Sequence, residues 1–196
     1  MVDDAAFKAH VLKRTAFTEE ELNEFCNSFE PARIKKRQFI IQPGFTDRCR
    51  YYVVQGAFRA YVIGDEGQEH TIQFAVDDWW ISDYNSYIFQ QPATMFVMAL
   101  EDSLVLQISY EAERKLKERR HCFETFFRVL AEHTAAYMAR RVITNLTKTA
   151  EQRYELFLER YPDIVSKVPQ YALASFLGMT TEYLSKLRNK RLARKS

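Results

Sequence analysis

Apolar residues recur along this chain with two different periods. Between Ile34 and Ser109 the period is two: Phe58, Ala60 and Val62 alternate ahead of Gly64-Asp65-Glu66-Gly67, and Ile72 and Phe74 resume the alternation after it. Alternation on both sides of a Gly/Asp turn predicts a β-hairpin. Further strands are predicted over 94–100 and 103–109. Many short strands with Gly/Asp turns imply an antiparallel roll or barrel, which either encloses a pocket or fills it with side chains.

On both flanks the period is helical. Thr18 with Glu21 three residues on forms a capping box ahead of Leu22 and Phe25, and predicts a helix start there. After Tyr110, the residues Leu116, Phe123, Phe126, Phe127, Leu130, His133, Tyr137 and Met138 recur at spacings of three, four and seven, which predicts one long helix to about Ile143. About thirty residues at about 1.5 Å each span about 45 Å, more than the width of a small domain. Part of the stripe therefore needs a partner, and a second copy is the economical one. Phe126, Leu130, Tyr137 and Met138 are candidates for that seam, with packing on the chain's own roll as the alternative. The polar segment 144–148 predicts a hinge, Thr149 with Gln152 a second capping box, and Tyr161-Pro162-Asp163 the end of that helix.

The stretch QYALASFLGMTTEYLSKLRNKR, residues 170–191, carries the strongest functional signal. Leu173 and Ala174 form one apolar face, Gly178 stands where only glycine turns without strain, and Leu184 and Leu187 form a second face. This is helix-turn-helix spacing. Its second helix projects Thr181, Glu182, Ser185, Lys186, Arg188, Asn189, Lys190 and Arg191 outward, side chains able to bond base edges and phosphates. A plain αα-hairpin with solvated charges is the competing reading.

Charge favours the first without excluding the second. The chain has 196 residues and a net charge of +2, but residues 1–109 carry 10 Lys+Arg against 16 Asp+Glu, or −6, and residues 110–196 carry 18 against 10, or +8. A basic half that also has the helix pair suits a polyanion such as double-stranded DNA. Cys26, Cys49 and Cys122 show no metal-ligand spacing with the four histidines, so buried thiols and no metal site are expected. No signal peptide or eighteen-residue apolar run is visible, so a cytoplasmic location and no membrane contact are expected.

Tyr52-Val53-Val54-Gln55-Gly56, the run Gly67 to Phe74, the long helix, and Gly178-Met179-Thr180-Thr181-Glu182 together resemble the cyclic-AMP receptor / FNR (Crp/Fnr) superfamily of bacterial transcription regulators over nearly the whole chain. The resemblance implies an α+β fold: an N-terminal antiparallel β-roll of the cyclic-nucleotide-binding, jelly-roll kind (1–109), a dimerisation helix (110–143) and a helix-turn-helix domain (144–196). It implies a homodimer on a two-fold symmetric operator, RNA polymerase as a further partner, and no catalytic activity. In cyclic-nucleotide binders of this superfamily a Gly-Glu pair and an Arg-Ser pair grip the ribose and phosphate, whereas here Ile81-Ser82 or Ser82-Asp83, and Ala93-Thr94, take those places. A buried anion without a charge partner is costly, so cyclic AMP is not expected. The cysteine cluster of oxygen-sensing relatives is missing, and the short tail after Arg191 resembles the members found in the Bacteroidetes group.

The effector region of this resemblance comprises Trp80, Ile81, Ser82, Asp83, Ala93 and Thr94. The rings Trp79, Trp80, Tyr84, Tyr87 and Phe89 nearby either form an apolar effector pocket or simply fill the roll. Two other classes are weighed: a small-molecule or cyclic-nucleotide sensor whose C-terminal helices dock a protein partner, and a cupin-like metalloenzyme. The latter needs clustered ligands, and His70 is the only histidine in the strand region 34–109.

Overall fold

The computed structural model describes residues 4–162 and 164–193. Two helices open the chain, α1 (Asp4–Leu12) and α2 (Glu19–Asn27). The capping box at the start of α2 is present: the Glu21 N–H donates to the Thr18 hydroxyl, and the Thr18 N–H donates to the Glu21 carboxylate at 2.8 Å. α1 has no such cap signal in the sequence, yet Phe7 and Val11, one turn apart, are fully buried.

Eight strands follow among the described residues: β1 (Glu30–Ile34), β2 (Phe39–Ile41), β3 (Cys49–Gln55), β4 (Ala57–Ile63), β5 (Glu69–Val76), β6 (Trp80–Ile81), β7 (Phe96–Ala99) and β8 (Ser103–Ser109). A short helix, α3 (Tyr84–Phe89), joins β6 to β7. The strands pair antiparallel in two sheets of order β1-β8-β3-β6 and β2-β7-β4-β5. Inward side chains of both sheets, among them Val53, Phe58, Val97 and Val105, fill the space between them. The β4–β5 hairpin turns at Gly64–Gly67 as expected, with Gly67 at φ +83°. The alternation is not kept throughout. A register shift sets Ala60 opposite Gln73 and Tyr61 opposite Thr71, so Ile72 of β5 has no partner on β4 and the alternation expected through Ile72 and Phe74 is interrupted there.

The single helix expected over 110–143 is two helices, α4 (Tyr110–Arg119) and α5 (His121–Thr147). Arg120 is extended between them (φ −143°, ψ 134°), and its guanidinium bonds Glu20 at 2.8 Å and Glu24 at 3.0 Å on α2. Tertiary ion pairs thus fix a break that no proline or glycine marks. The hinge expected over 144–148 is also displaced. α5 runs on to Thr147, whose hydroxyl donates to the Ile143 carbonyl, and the chain leaves the helix at Lys148.

Two of the four seam candidates are spent inside the chain. Phe126 and Leu130 pack with Phe25, Phe29 and Tyr52 in a second core between α1, α2, β3 and α5, and Tyr137 and Met138 are half-buried. The outward face of α5 instead exposes Ala135, Ala139, Val142 and Leu146, spaced four, three and four.

α6 (Ala150–Arg160) opens with the expected Thr149/Gln152 capping box. α7 (Ile164–Lys167), α8 (Gln170–Phe176) and α9 (Thr181–Ala193) follow; Asp163, named as part of the α6 stop, lies outside the described residues. These helices bury Tyr154, Phe157, Leu173, Leu184 and Leu187 together with Ala57, Phe74 and Val76 of the roll. Polar contacts reinforce that junction: Lys167 pairs with Asp77 at 2.7 Å, and Arg141 donates to the carbonyls of Thr71 and Ile72. No helix among the described residues is long and apolar enough to cross a membrane.

Candidate nucleic-acid interface and effector region

Pro169 starts α8, which buries Ala172, Leu173 and Ala174. The chain then turns at Gly178 with φ +66°. A Cβ there would meet only a flexible arginine tip at 3.6 Å, so the backbone conformation and not space calls for glycine. The Tyr183 N–H donates to the Thr180 hydroxyl and caps α9, whose Leu184 and Leu187 are buried.

Burying those leucines turns Glu182, Lys186, Arg188 and Asn189 to solvent, with Thr181 half-buried beside them. Hydrogen bonds from its own N–H and from the Thr180 hydroxyl hold the Glu182 carboxyl below its usual range. The remaining predicted residues are engaged within the chain. Ser185 donates to the Thr181 carbonyl and is bonded by the Gln170 amide, while Lys190 pairs with Glu151 at 3.0 Å and Arg191 lies 3.6 Å from Glu155 on α6.

The expected effector residues divide. Trp80, Ile81 and Ser82 line a small cavity of ≈ 80 Å³ between the roll and α5, together with Arg50, Tyr84 and Met95. Trp80 also packs on Phe7 and Tyr52 and donates its indole N–H to His10 at 3.0 Å. Burial, and then Arg14 beside it, lowers the His10 pKa to about 4, so the ring is a neutral acceptor. Ala93 is a core residue.

Asp83 is completely buried. Its carboxylate accepts the N–H groups of Ser86 at 3.1 Å, Thr94 at 2.9 Å and Met95 at 3.4 Å. Its own N–H donates to Asp47, a second buried carboxylate, which burial pushes up to about 7. The backbone donors beside α3 are therefore already satisfied by acids of the chain. Arg50, the cation nearest the cavity, is not free either: it grips Glu113 through two hydrogen bonds of 2.9 and 3.0 Å, and the Tyr87 hydroxyl joins them at 2.8 Å. Of the remaining rings, Tyr84 lies against the Arg50 guanidinium, Trp79 against Tyr161, and Phe89 is largely exposed. Sequence reasoning missed Asp47, Arg50 and Glu113. They meet their partners across 36 and 63 residues, so no local spacing marks them.

Residues 31–120 match the family model described as the cyclic nucleotide-binding domain. Solved structures share the fold over most of the chain. FixK2 from Bradyrhizobium japonicum has a TM-score of 0.75 at 15% identity, covering 85% of this chain and 86% of that one. The c-di-GMP responsive global regulator CLP from Xanthomonas campestris has a TM-score of 0.69 at 14% identity, covering 91% and 93%. The catabolite activator protein of Thermus thermophilus has a TM-score of 0.59 at 18% identity, covering 95% and 87%. No curated protein matches the sequence. Residues 31–120 are thus similar to a cyclic nucleotide-binding domain, and most of the chain shares its fold with proteins that include a global regulator and an activator protein.

Proposed function

We propose that the chain is a non-enzymatic, DNA-binding transcription regulator of the Crp/Fnr type, acting in the cytoplasm as a homodimer on a two-fold symmetric operator. The reading divides it into a sensor roll (1–109), a dimerisation segment centred on α5, and a helix-turn-helix domain from residue 148 onward. The observation that carries it is the form of α8 and α9: a buried apolar seam, a positive-φ glycine between the helices, and a solvent-facing row of Glu182, Lys186, Arg188 and Asn189. Glu182 and Lys186 on the N-terminal half of this exposed helix suit base edges in the major groove, with Arg188 and Asn189 further along toward the phosphates. The fold neighbours, two of them called a global regulator and an activator protein, support the same class.

The exposed Ala135/Ala139/Val142/Leu146 stripe supports self-association along α5, because an isolated row of apolar side chains at heptad spacing gains by burial against its copy. The Asp83 and Asp47 carboxylates support a roll that does not take cyclic AMP. Their oxygens already take the amide donors beside α3, and a cyclic phosphate in their place would find no free arginine to offset its charge. RNA polymerase as a partner follows from the class alone. Selection of bound duplexes from random DNA tests the proposal: a palindromic consensus is expected. Recovery of no sequence, with salt-insensitive capture of a protein partner, would favour the docking reading of the C-terminal helices.

A further inference from the structure

We infer that the junction between α5 and the C-terminal helices is a binding site for a small organic monoanion with an apolar body, such as an aromatic carboxylate. A cavity of ≈ 60 Å³, open to solvent, lies between α5, α6 and α8. Its wall carries four arginines, Arg140, Arg141, Arg153 and Arg160, and no carboxylate. None of the four has an ion-pair partner among the described residues. The rest of the lining is mainly apolar and aromatic, with the rings of Tyr137, Phe157, Tyr161 and Phe176 among it.

The four arginines are not equivalent. Arg153 is committed to structure, donating to the carbonyls of Lys148, Leu177 and Gly178. Arg141 spends its two terminal nitrogens on the carbonyls of Thr71 and Ile72 and lies 4.2 Å from the Phe176 ring centre. Its Nε is buried without a partner, and burial lowers its pKa because nothing negative compensates the charge. Arg140 and Arg160 make no hydrogen bond or ion pair among the described residues, and both are exposed at the site. A desolvated cation, an orphan donor and two free guanidinium groups around an apolar opening are complementary to one acid group carried on a ring. The enclosed space holds only a few heavy atoms, so part of the ring lies in the mouth.

Tyr137, Arg140 and Arg141 come from α5, Arg153 and Arg160 from α6, and Phe176 from α8. A ligand bridging them fixes the angle between α5 and the pair α8/α9. That consequence rests on the DNA-binding reading; occupancy of the site does not.

The test uses the full chain with benzoate and benzenesulfonate as probes and benzamide as the neutral control, by thermal shift and titration calorimetry. Saturable stabilisation by both anions and none by benzamide is expected. The doubly substituted Arg140→Gln/Arg160→Gln protein, which leaves the Arg141 and Arg153 contacts in place, should lose at least tenfold in affinity while keeping its melting temperature. No stabilisation by either anion, an equal effect of benzamide, or unchanged affinity in the double variant would overturn the site. DNA binding by ligand-free protein is measured alongside. Probe binding without any DNA binding sinks the regulator reading and leaves the site; DNA binding without probe binding does the reverse.

Discussion

The Ser175 hydroxyl accepts the backbone N–H of Thr71 at 2.8 Å and donates to the Glu69 carbonyl at 2.8 Å. β5 is the edge strand of its sheet, and an edge leaves a row of unpaired backbone groups. One side chain of α8 therefore takes the place of a neighbouring strand. Arg141 of α5 does the same for the carbonyls of Thr71 and Ile72. Ser175→Ala should leave the part-buried Thr71 N–H without its partner at a cost of about 1 kcal/mol, while the exposed Glu69 carbonyl turns to water. Hydrogen exchange checks this: the Thr71 amide should lose protection while amides in the middle of β3 keep theirs. Unchanged exchange at Thr71 would show that the C-terminal helices do not rest on this contact.

Arg50 and Glu113 are buried together, each side chain 4% exposed, in a bidentate pair joined by Lys117 and the Tyr87 hydroxyl. Glu113→Ala leaves a buried guanidinium without its partner and should cost about 3–5 kcal/mol. The double substitution Arg50→Met/Glu113→Leu removes both charges and should recover much of that loss. Urea denaturation of the two proteins measures it. A single variant less than about 1 kcal/mol below the parent would mean that water reaches the pair.

Much of this architecture is legible locally. Two capping boxes, the glycine turn of the β4–β5 hairpin and the positive-φ glycine after α8 are all specified within four or five residues. What escapes a local reading depends on distant partners. Arg120 breaks the long helix through acids about a hundred residues earlier. The bulge at Ile72 shifts β5 against β4, and propensity does not mark it. The outward row of α9 is readable from its period, but that Ser185 turns to Gln170, and that Lys190 and Arg191 meet α6, follows only from packing. The effector region is the least legible part. Its defining feature, Asp83 closing on three amides, depends on a fold around α3 that spacing does not reveal.

Cyclic AMP at millimolar concentration should leave the melting temperature unchanged. A ligand at about one hundred times its dissociation constant adds about 2.7 kcal/mol, an obvious shift. The Asp83 carboxylate occupies the amide donors that an incoming phosphate needs, and Arg50 is held by Glu113. AMP is the control. A rise with cyclic AMP and none with AMP would show that Asp83 yields its place.

Val142 and Leu146 are 58% and 81% exposed on α5, whereas Leu130 is 5% exposed in the core. Val142→Asp/Leu146→Asp should therefore give a folded monomer at micromolar concentration, because a charge buried at a seam is costly and a charge in water is not. Leu130→Asp should instead unfold the protein. Light scattering and circular dichroism separate the two outcomes. A monomeric parent protein would remove the argument for a symmetric operator.

Lys186 and Arg191 stand about one and a half turns apart on α9 and differ in their commitments. Lys186 is exposed and makes no ion pair among the described residues, so it is free to donate to a base edge such as guanine O6 or N7. Arg191 is half-buried, with its guanidinium 3.6 Å from Glu155. A surface pair of that kind is worth about 0.2–1 kcal/mol, small enough to be exchanged for a phosphate. Lys186→Ala should cost about 1–3 kcal/mol on the preferred duplex and relax one position of it. Arg191→Ala should weaken binding to all duplexes alike and lower the salt slope by about one unit per monomer. Salt titrations on specific and random DNA distinguish the two patterns. If neither substitution alters affinity, α9 does not lie in the groove, and its charged face serves a protein partner instead.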